Sequence, residues 1–389
     1  MPICLSAGPR AASEAVSRSC GVRRPDPVPP VAETEPVRPA RPMAAAPHPA
    51  TSRPQAPAAA RIPMNGGLVH VSAEPLVDVH AHFVTPAYVE AAQAAGHRQP
   101  DGMRGYPAWS VAEHLELMDS AGIRTSVLSI SSPGTHFGDD RAARALTREV
   151  NEFAADVLRA HPGRFGHFAS LPLPDVDGAL TEAAHALDVL GSHGVALETN
   201  AAGIYPGDTR LEPLWQELDS RAAVVFVHPT SPPCHEHVSL DRPRPMLEFL
   251  FDSARTVSDL VFSGVLRRHP RIRWIFTHGG GALPLLTDRM ELFRTVFGVG
   301  SADGPPVQEQ LRALWFDMAG TPFPHQVPAL TRTFGHDRLL YGSDYCWTPA
   351  AGTLAQVASV DAAPQPEAGT WRELTTRNAA RLLPWVADV

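Results

Sequence analysis

The chain has 389 residues, a formal net charge of −8 and a sequence pI near 6.1, so its charge gives no reason to expect a nucleic-acid partner. All 33 basic residues are arginine, which excludes a P-loop lysine, a Schiff base, a pyridoxal-phosphate anchor and any metal pair bridged by a carbamylated lysine. No run approaches the ~20 apolar residues of a membrane span, and the four cysteines lack zinc-ribbon spacing, so the expected setting is a reducing cytoplasm with no membrane partner.

Residues 1–73 are dominated by Pro, Ala and Arg and show neither a period of 2 nor one of 3.6. Such a stretch cannot repay the entropy of ordering, and it reads as a disordered tail. Arg23-Arg24 is followed by no apolar segment, which argues against a twin-arginine export signal. Met43 and Met64 are candidate alternative starts, Met64 the better because the folded pattern begins soon after it. Residues 74–389 then read as one folded domain.

That domain opens with a short apolar run, Val77–Phe83, carrying His80 and His82 at alternate positions. In an extended strand such positions share a face, so two imidazoles can converge on one ion. A helix follows over Pro86–Gly96, then an irregular loop from Pro100 to Pro107. Ser110 and Glu113 form a Ser-x-x-Glu capping signature for a helix reaching Ala121. The alternation continues with strands over Thr125–Ile130, Phe165–Leu173, Val195–Thr199 and Val224–Val227. Between them lie helices over Asp139–Ala160, Asp175–Leu190 and Leu211–Ala222. After a Pro-rich segment, Thr230–Leu250, come a helix over Ala254–Arg268, a strand over Ile272–Thr277 and a helix over Leu283–Val296. The remaining elements are a strand over Leu314–Met318, a helix over Gln326–Phe334, a strand over Leu339–Gly342 and a last helix over Trp371–Leu383.

Eight strands alternating with helices imply a parallel sheet, and eight units predict a closed (β/α)₈ TIM barrel of about 250 residues plus insertions. The alternative is an open doubly wound sheet, against which stands the absence of a Gly-rich phosphate loop after any strand. In a barrel, catalytic groups gather at the carboxyl ends of strands. His80 and His82 end the first strand, His228 the fifth and His278 the sixth, and Asp344 follows the eighth, so all five are expected at one mouth. Imidazole and carboxylate donors suit one divalent ion, Zn²⁺ first, with Mn²⁺ or iron able to use the same donors. His97, His136, His235, His237 and His325 lie in loops and read as solvated.

The His80-Ala81-His82 pair resembles a motif of the amidohydrolase superfamily. The same is true of Phe226-Val227-His228-Pro229, Thr277-His278-Gly279-Gly280-Gly281 and Leu340-Tyr341-Gly342-Ser343-Asp344-Tyr345. They are most similar to its aminocarboxymuconate-semialdehyde decarboxylase branch, which includes the resorcylate decarboxylases. Further segments, among them Asp101-Gly102-Met103 and the run from Val227 to Cys234, resemble the 6-methylsalicylate decarboxylases of that branch. The resemblance covers about Pro75 to Pro384. It implies His80, His82, His228 and Asp344 as metal ligands, His278 as an acid/base residue, a homodimer, and non-oxidative decarboxylation of a small aromatic hydroxy acid. Arg104 departs from the pattern, standing where a small residue or proline is expected.

On this expectation the substrate is 6-methylsalicylate, released as m-cresol and CO2, and His278 or Asp344 supplies the proton. Arg255, read as opening the helix after the fifth strand, is a candidate carboxylate anchor, with an ordinary salt bridge to Asp252 or Asp259 as the alternative. Phe83, Phe251 and Trp347 are candidate walls of an aromatic pocket, with core packing the alternative for each. Two other functions fit the same donors: metal-dependent hydrolysis of a lactone or related ester, and a barrel that binds an aromatic acid without turnover.

Overall fold

Parallel pairing runs through the strands in sequential order: β1 (Leu76–His82), β2 (Ile123–Ser129), β3 (Phe165–Ser170), β4 (Gly194–Glu198), β5 (Val224–His228), β6 (Arg273–Phe276), β7 (Trp315–Asp317) and β8 (Leu339–Leu340). Bridges from Asp78 to Tyr341 and from Ala81 to Tyr345 join the end of β8 back to β1. With β1 bonded along both edges, the sheet is the expected (β/α)₈ barrel and not an open one. The computed structural model describes residues 74–300 and 304–388. The tail expected over 1–73 lies outside the described residues.

The helices form the outer layer: α1 (Pro86–Ala94), α2 (Val111–Ala121), α3 (Asp140–Ala160), α4 (Val176–His185), α5 (Glu212–Ser220), α6 (Glu248–Ser263), α7 (Val265–Arg268), α8 (Leu283–Val296), α9 (Val307–Arg312), α10 (Val327–Phe334), α11 (Ala350–Ala362) and α12 (Trp371–Leu382). Local signals start and stop several of them where expected. Ser110 accepts from the Glu113 N–H at the head of α2, and Gly122 ends that helix in the left-handed conformation. The Ser110 hydroxyl turns to the Glu113 carboxylate, so the box there is not reciprocal. A full reciprocal box is instead built by Thr370 and Glu373 at α12.

Several elements differ from the sequence reading, three of them helices near the later strands. Helix α11 was not expected, because the residues it buries, Thr353, Gln356, Val357 and Val360, are half polar and show no apolar stripe. Helix α9 was not expected either. Helix α6 begins at Glu248, not near Ala254, since Glu248 and Phe249 are already buried on its inner face.

Two apolar layers hold the barrel together. Val77, Val79, Val127, Phe168, Val224, Phe226, Ile275 and Leu340 fill its interior, and Leu382, Leu383 and Val386 close the end opposite the strand termini. Leu128, Phe165, Val225, Val227, Trp274 and Phe276 face outward to the helices. Strand β1 switches between these layers. Its register with β2 slips between Asp78 and Ala81, so Val77 and Val79 point inward below the slip while His80 and His82 point inward above it. A simple period of 2 would have placed the valines and the histidines on opposite faces.

His114 accepts from the Trp109 indole, and burial, helped by Arg164, drives its imidazole down to about 3. The folded form holds it neutral, whereas the unfolded chain protonates it near 6.5. Its contribution to stability is therefore complete above pH 6.5 and is lost as pH falls toward 3. Urea titrations should show the wild type losing up to about 1.4 kcal/mol per pH unit relative to His114→Gln between pH 6.5 and 5.

Candidate active site

The ends of β1, β5 and β6 and the turn after β8 bring five expected residues to one place at the barrel mouth. The ring of His80 lies 4.8 Å from that of His82, 5.3 Å from His228 and 5.1 Å from His278, centroid to centroid. His80 Nε2 is 2.9 Å from His82 Nε2, and Asp344 Oδ1 stands 3.4 and 3.3 Å from these two atoms. One donor atom each from His80, His82, His228 and Asp344 lies within 4.8 Å of all the others. None of the five loop histidines joins them.

Hydrogen bonding around the rings decides what these atoms can do. His80 Nδ1 lies 2.8 Å from Asp317 Oδ2 and donates to it, which leaves a lone pair on Nε2. His82 Nδ1 faces the Ser129 carbonyl at 3.3 Å, which again turns the Nε2 lone pair inward. Two lone pairs 2.9 Å apart, beside a carboxylate oxygen, repel one another unless a cation sits among them. Three nitrogens and one oxygen are the donors a borderline divalent ion accepts. The residues present therefore fit a divalent metal ion.

The electrostatics agree. Burial lowers His82, and burial with the neighbouring imidazoles holds His228 well below its ordinary value, so both stay neutral and able to coordinate. Burial alone would raise Asp344, but hydrogen bonds with His278, His80 and His82 outweigh it and hold the carboxylate ionised well below its usual range. His80 is the exception: burial works to lower it, yet Asp317 and Asp344 push it up to about 10. Two carboxylates draw positive charge to that spot, and a divalent ion meets the demand with twice the charge of a proton.

His278 and Asp344 both hold the left-handed backbone conformation, φ 53° and 59°. Non-glycine residues pay of order 1–3 kcal/mol for such geometry, which persists only where the surroundings impose it. Here the His278 N–H donates to Asp317 Oδ1 at 2.9 Å and the Asp344 N–H to the His80 carbonyl at 2.8 Å. His278 Nε2 then lies 3.6 Å from Asp344 Oδ2, and its ring, 14% exposed, borders the mouth.

Two carboxylates that organise the site were not singled out from sequence. Asp317 ends β7 and binds His80 through one oxygen and the His278 and Ala319 N–H groups through the other. Its signal was available, since it closes an apolar run as the ligands do. Asp78 accepts from the Ser343 N–H at 2.9 Å and hydroxyl at 2.6 Å, fixing the turn that carries Asp344 to β1.

The candidate substrate residues fare differently. Phe83 is fully buried against Trp109 and Phe153, ring centroids 5.8 and 5.7 Å away. As the neighbour of His82 it points to the opposite face, into the helix layer, which corrects its reading as a pocket wall. Arg255 does not open a helix: it lies within α6 with its guanidinium on Asp252, the salt bridge that was its alternative reading. Phe251 is exposed. Trp347 is half-buried three residues after Asp344, its ring 5.9 Å from that of Tyr106.

The amidohydrolase family model matches residues 77–385. The chain belongs to the amidohydrolase family. This amidohydrolase is 36% identical to a decarboxylase of Aspergillus niger over 71% of its own length and 78% of that protein. It is 34% identical to a 6-methylsalicylic acid decarboxylase of Aspergillus aculeatus, over 79% of its length and 96% of the relative. The crystal structure of an amidohydrolase II superposes with a TM-score of 0.73 at 31% identity, covering 79% of this chain and 99% of that one. Among amidohydrolases this chain is a carboxy-lyase, a decarboxylase with a centre for a divalent ion.

Asp317→Asn keeps the side chain's size but weakens the acceptor for the His80 Nδ1 proton. The variant should bind Zn²⁺ or Mn²⁺ about 10- to 100-fold more weakly in competition with a chromophoric chelator.

Proposed function

We propose that the enzyme removes CO2 from a 2-hydroxybenzoate, 6-methylsalicylate being the first candidate, and releases m-cresol. The observation that carries this reading is the joining of a three-nitrogen, one-oxygen centre to His278, whose Nε2 stands 3.6 Å from Asp344 Oδ2 at its open side. The match to a 6-methylsalicylic acid decarboxylase across 96% of that relative supports it further.

The chemistry needs a proton on the ring carbon that carries the carboxylate. Adding it breaks aromaticity and gives a dienone-like ring; the C–C bond to the carboxylate then cleaves, CO2 departs, and the bonding electrons restore the aromatic ring. One proton is consumed for each CO2 released. His80, His82, His228 and Asp344 would hold a divalent ion, Zn²⁺ before Mn²⁺, which would supply Lewis acidity and a template for the substrate. His278, whose ring is partly exposed beside the centre, is the residue we assign to hand the proton to the ring. Asp344 Oδ2 beside its Nε2 fixes that nitrogen toward the site, while Oδ1 faces the ligand imidazoles. General acid catalysis of this kind contributes about 10²- to 10⁴-fold. Trp347, three residues after Asp344, and Tyr106, whose ring is 5.9 Å from it, are the aromatic faces we assign to the substrate ring. Arg255 is paired with Asp252 in the free site.

Metal-loaded protein incubated with 6-methylsalicylate should release CO2 and m-cresol in equal amounts, with one ion per chain by elemental analysis. Chelation should abolish turnover and added Zn²⁺ or Mn²⁺ restore it. Lactone hydrolysis would give neither product, and binding without product would favour the non-catalytic alternative. His278→Ala should keep its metal while turnover falls by at least about 10²-fold; full activity in that variant would remove the proton-delivery role.

A further inference from the structure

We propose that Glu198 is the outer carboxylate that sets the ring of His228 in the metal centre. It is a positioning residue, and the inference rests on the reading of His80, His82, His228 and Asp344 as ligands. Two of the three ligand imidazoles have their outward nitrogen committed: His80 Nδ1 to Asp317 at 2.8 Å and His82 Nδ1 to the Ser129 carbonyl at 3.3 Å. His228 does not. The Ser131 hydroxyl lies 3.5 Å from both of its ring nitrogens, and a contact equal to both orients neither.

The carboxylate beside it is Glu198, whose Oε2 is 3.7 Å from His228 Nδ1. The pairing is built into the barrel. Glu198 is the last residue of β4 and stands in register with His228, the last residue of β5, so their backbones are hydrogen-bonded neighbours. Gly134 leaves room for the acid, since a Cβ there would come within 3.3 Å of Glu198 Cγ. Glu198 Oε2 is buried and has no hydrogen-bond partner. A buried acceptor without a donor is destabilising, and each such atom in a native structure calls for a reason.

One rotation meets both needs. A small turn of the His228 ring closes the gap to ordinary hydrogen-bonding distance, about 2.7–3.2 Å. It places the Nδ1 proton on Glu198 and turns the Nε2 lone pair toward the centre. Each ligand imidazole then has its tautomer fixed from outside, by Asp317 from β7, Ser129 from β2 and Glu198 from β4. Outer partners of this kind orient the ring and raise the basicity of the coordinating nitrogen.

The test is metal affinity, measured by chelator competition with Zn²⁺ and Mn²⁺ on the full-length wild type, Glu198→Gln and Glu198→Met, with apo-protein melting temperatures alongside. Methionine matches the length of glutamate without a comparable acceptor, and should weaken metal binding about 10- to 100-fold. Glutamine keeps an acceptor oxygen at the same reach and should recover most of that loss. Wild-type affinity in Glu198→Met, or equal loss in both variants, would overturn the proposal and leave the metal centre standing. A wild type that binds neither ion would remove the centre and this inference together. Should Glu198→Met not fold, Glu198→Ala is read in the same way.

Discussion

Electrostatic repulsion inside the barrel mouth is the constraint on which the rest of the site depends. Lone pairs on His80 and His82 and an oxygen of Asp344 are pressed to within about 3.4 Å of one another, an arrangement that isolated side chains would relax by rotating apart. They cannot rotate, because Asp317 and Ser129 hold the outer ring nitrogens and the β8 turn is tied to β1 through Asp78 and Ser343. The fold thus stores a demand for positive charge. That demand appears twice, in the high affinity of His80 for a proton and in the ionised state of Asp344.

A closed barrel is what lets the demand persist. An open sheet could splay its edge strands and relieve the crowding, but β1 is bonded to β2 on one side and to the end of β8 on the other. The interior layer of Val77, Phe168, Phe226 and Ile275 props the walls from below. The register slip in β1 then aims His80 and His82 inward above that layer. Packing and chemistry are divided along the strands, with apolar side chains through the middle and donors at the carboxyl ends.

The backbone carries part of the cost. His278 and Asp344 sit in a conformation disfavoured for their types, and each is held there by a backbone hydrogen bond to a residue of the same site. The result is a pair 3.6 Å apart at the open side of the centre. The absence of lysine from the chain agrees with a centre for a single ion, since no carbamylated bridge between two metals can form.

The sequence by itself determined the barrel and the five groups at its mouth. Alternating strands and helices are local patterns, and His80-Ala81-His82, Thr277-His278-Gly279 and Ser343-Asp344-Tyr345 each place a donor at the end of such a strand. Tertiary structure decided the rest. The outward turn of Phe83 and the inward turn of His80 depend on a register slip that exists only when β1 pairs with β2. The place of Arg255 follows from where α6 begins, which burial of Glu248 and Phe249 sets. Helix α11 buries Val357 and Val360 beside Gln356, whose side-chain oxygen accepts from the Tyr341 hydroxyl at 2.9 Å, a contact that only folding creates. Asp317 gains its role because β7 lies only one strand beyond β8 from β1 once the barrel closes, a proximity that a separation of 237 residues in sequence conceals.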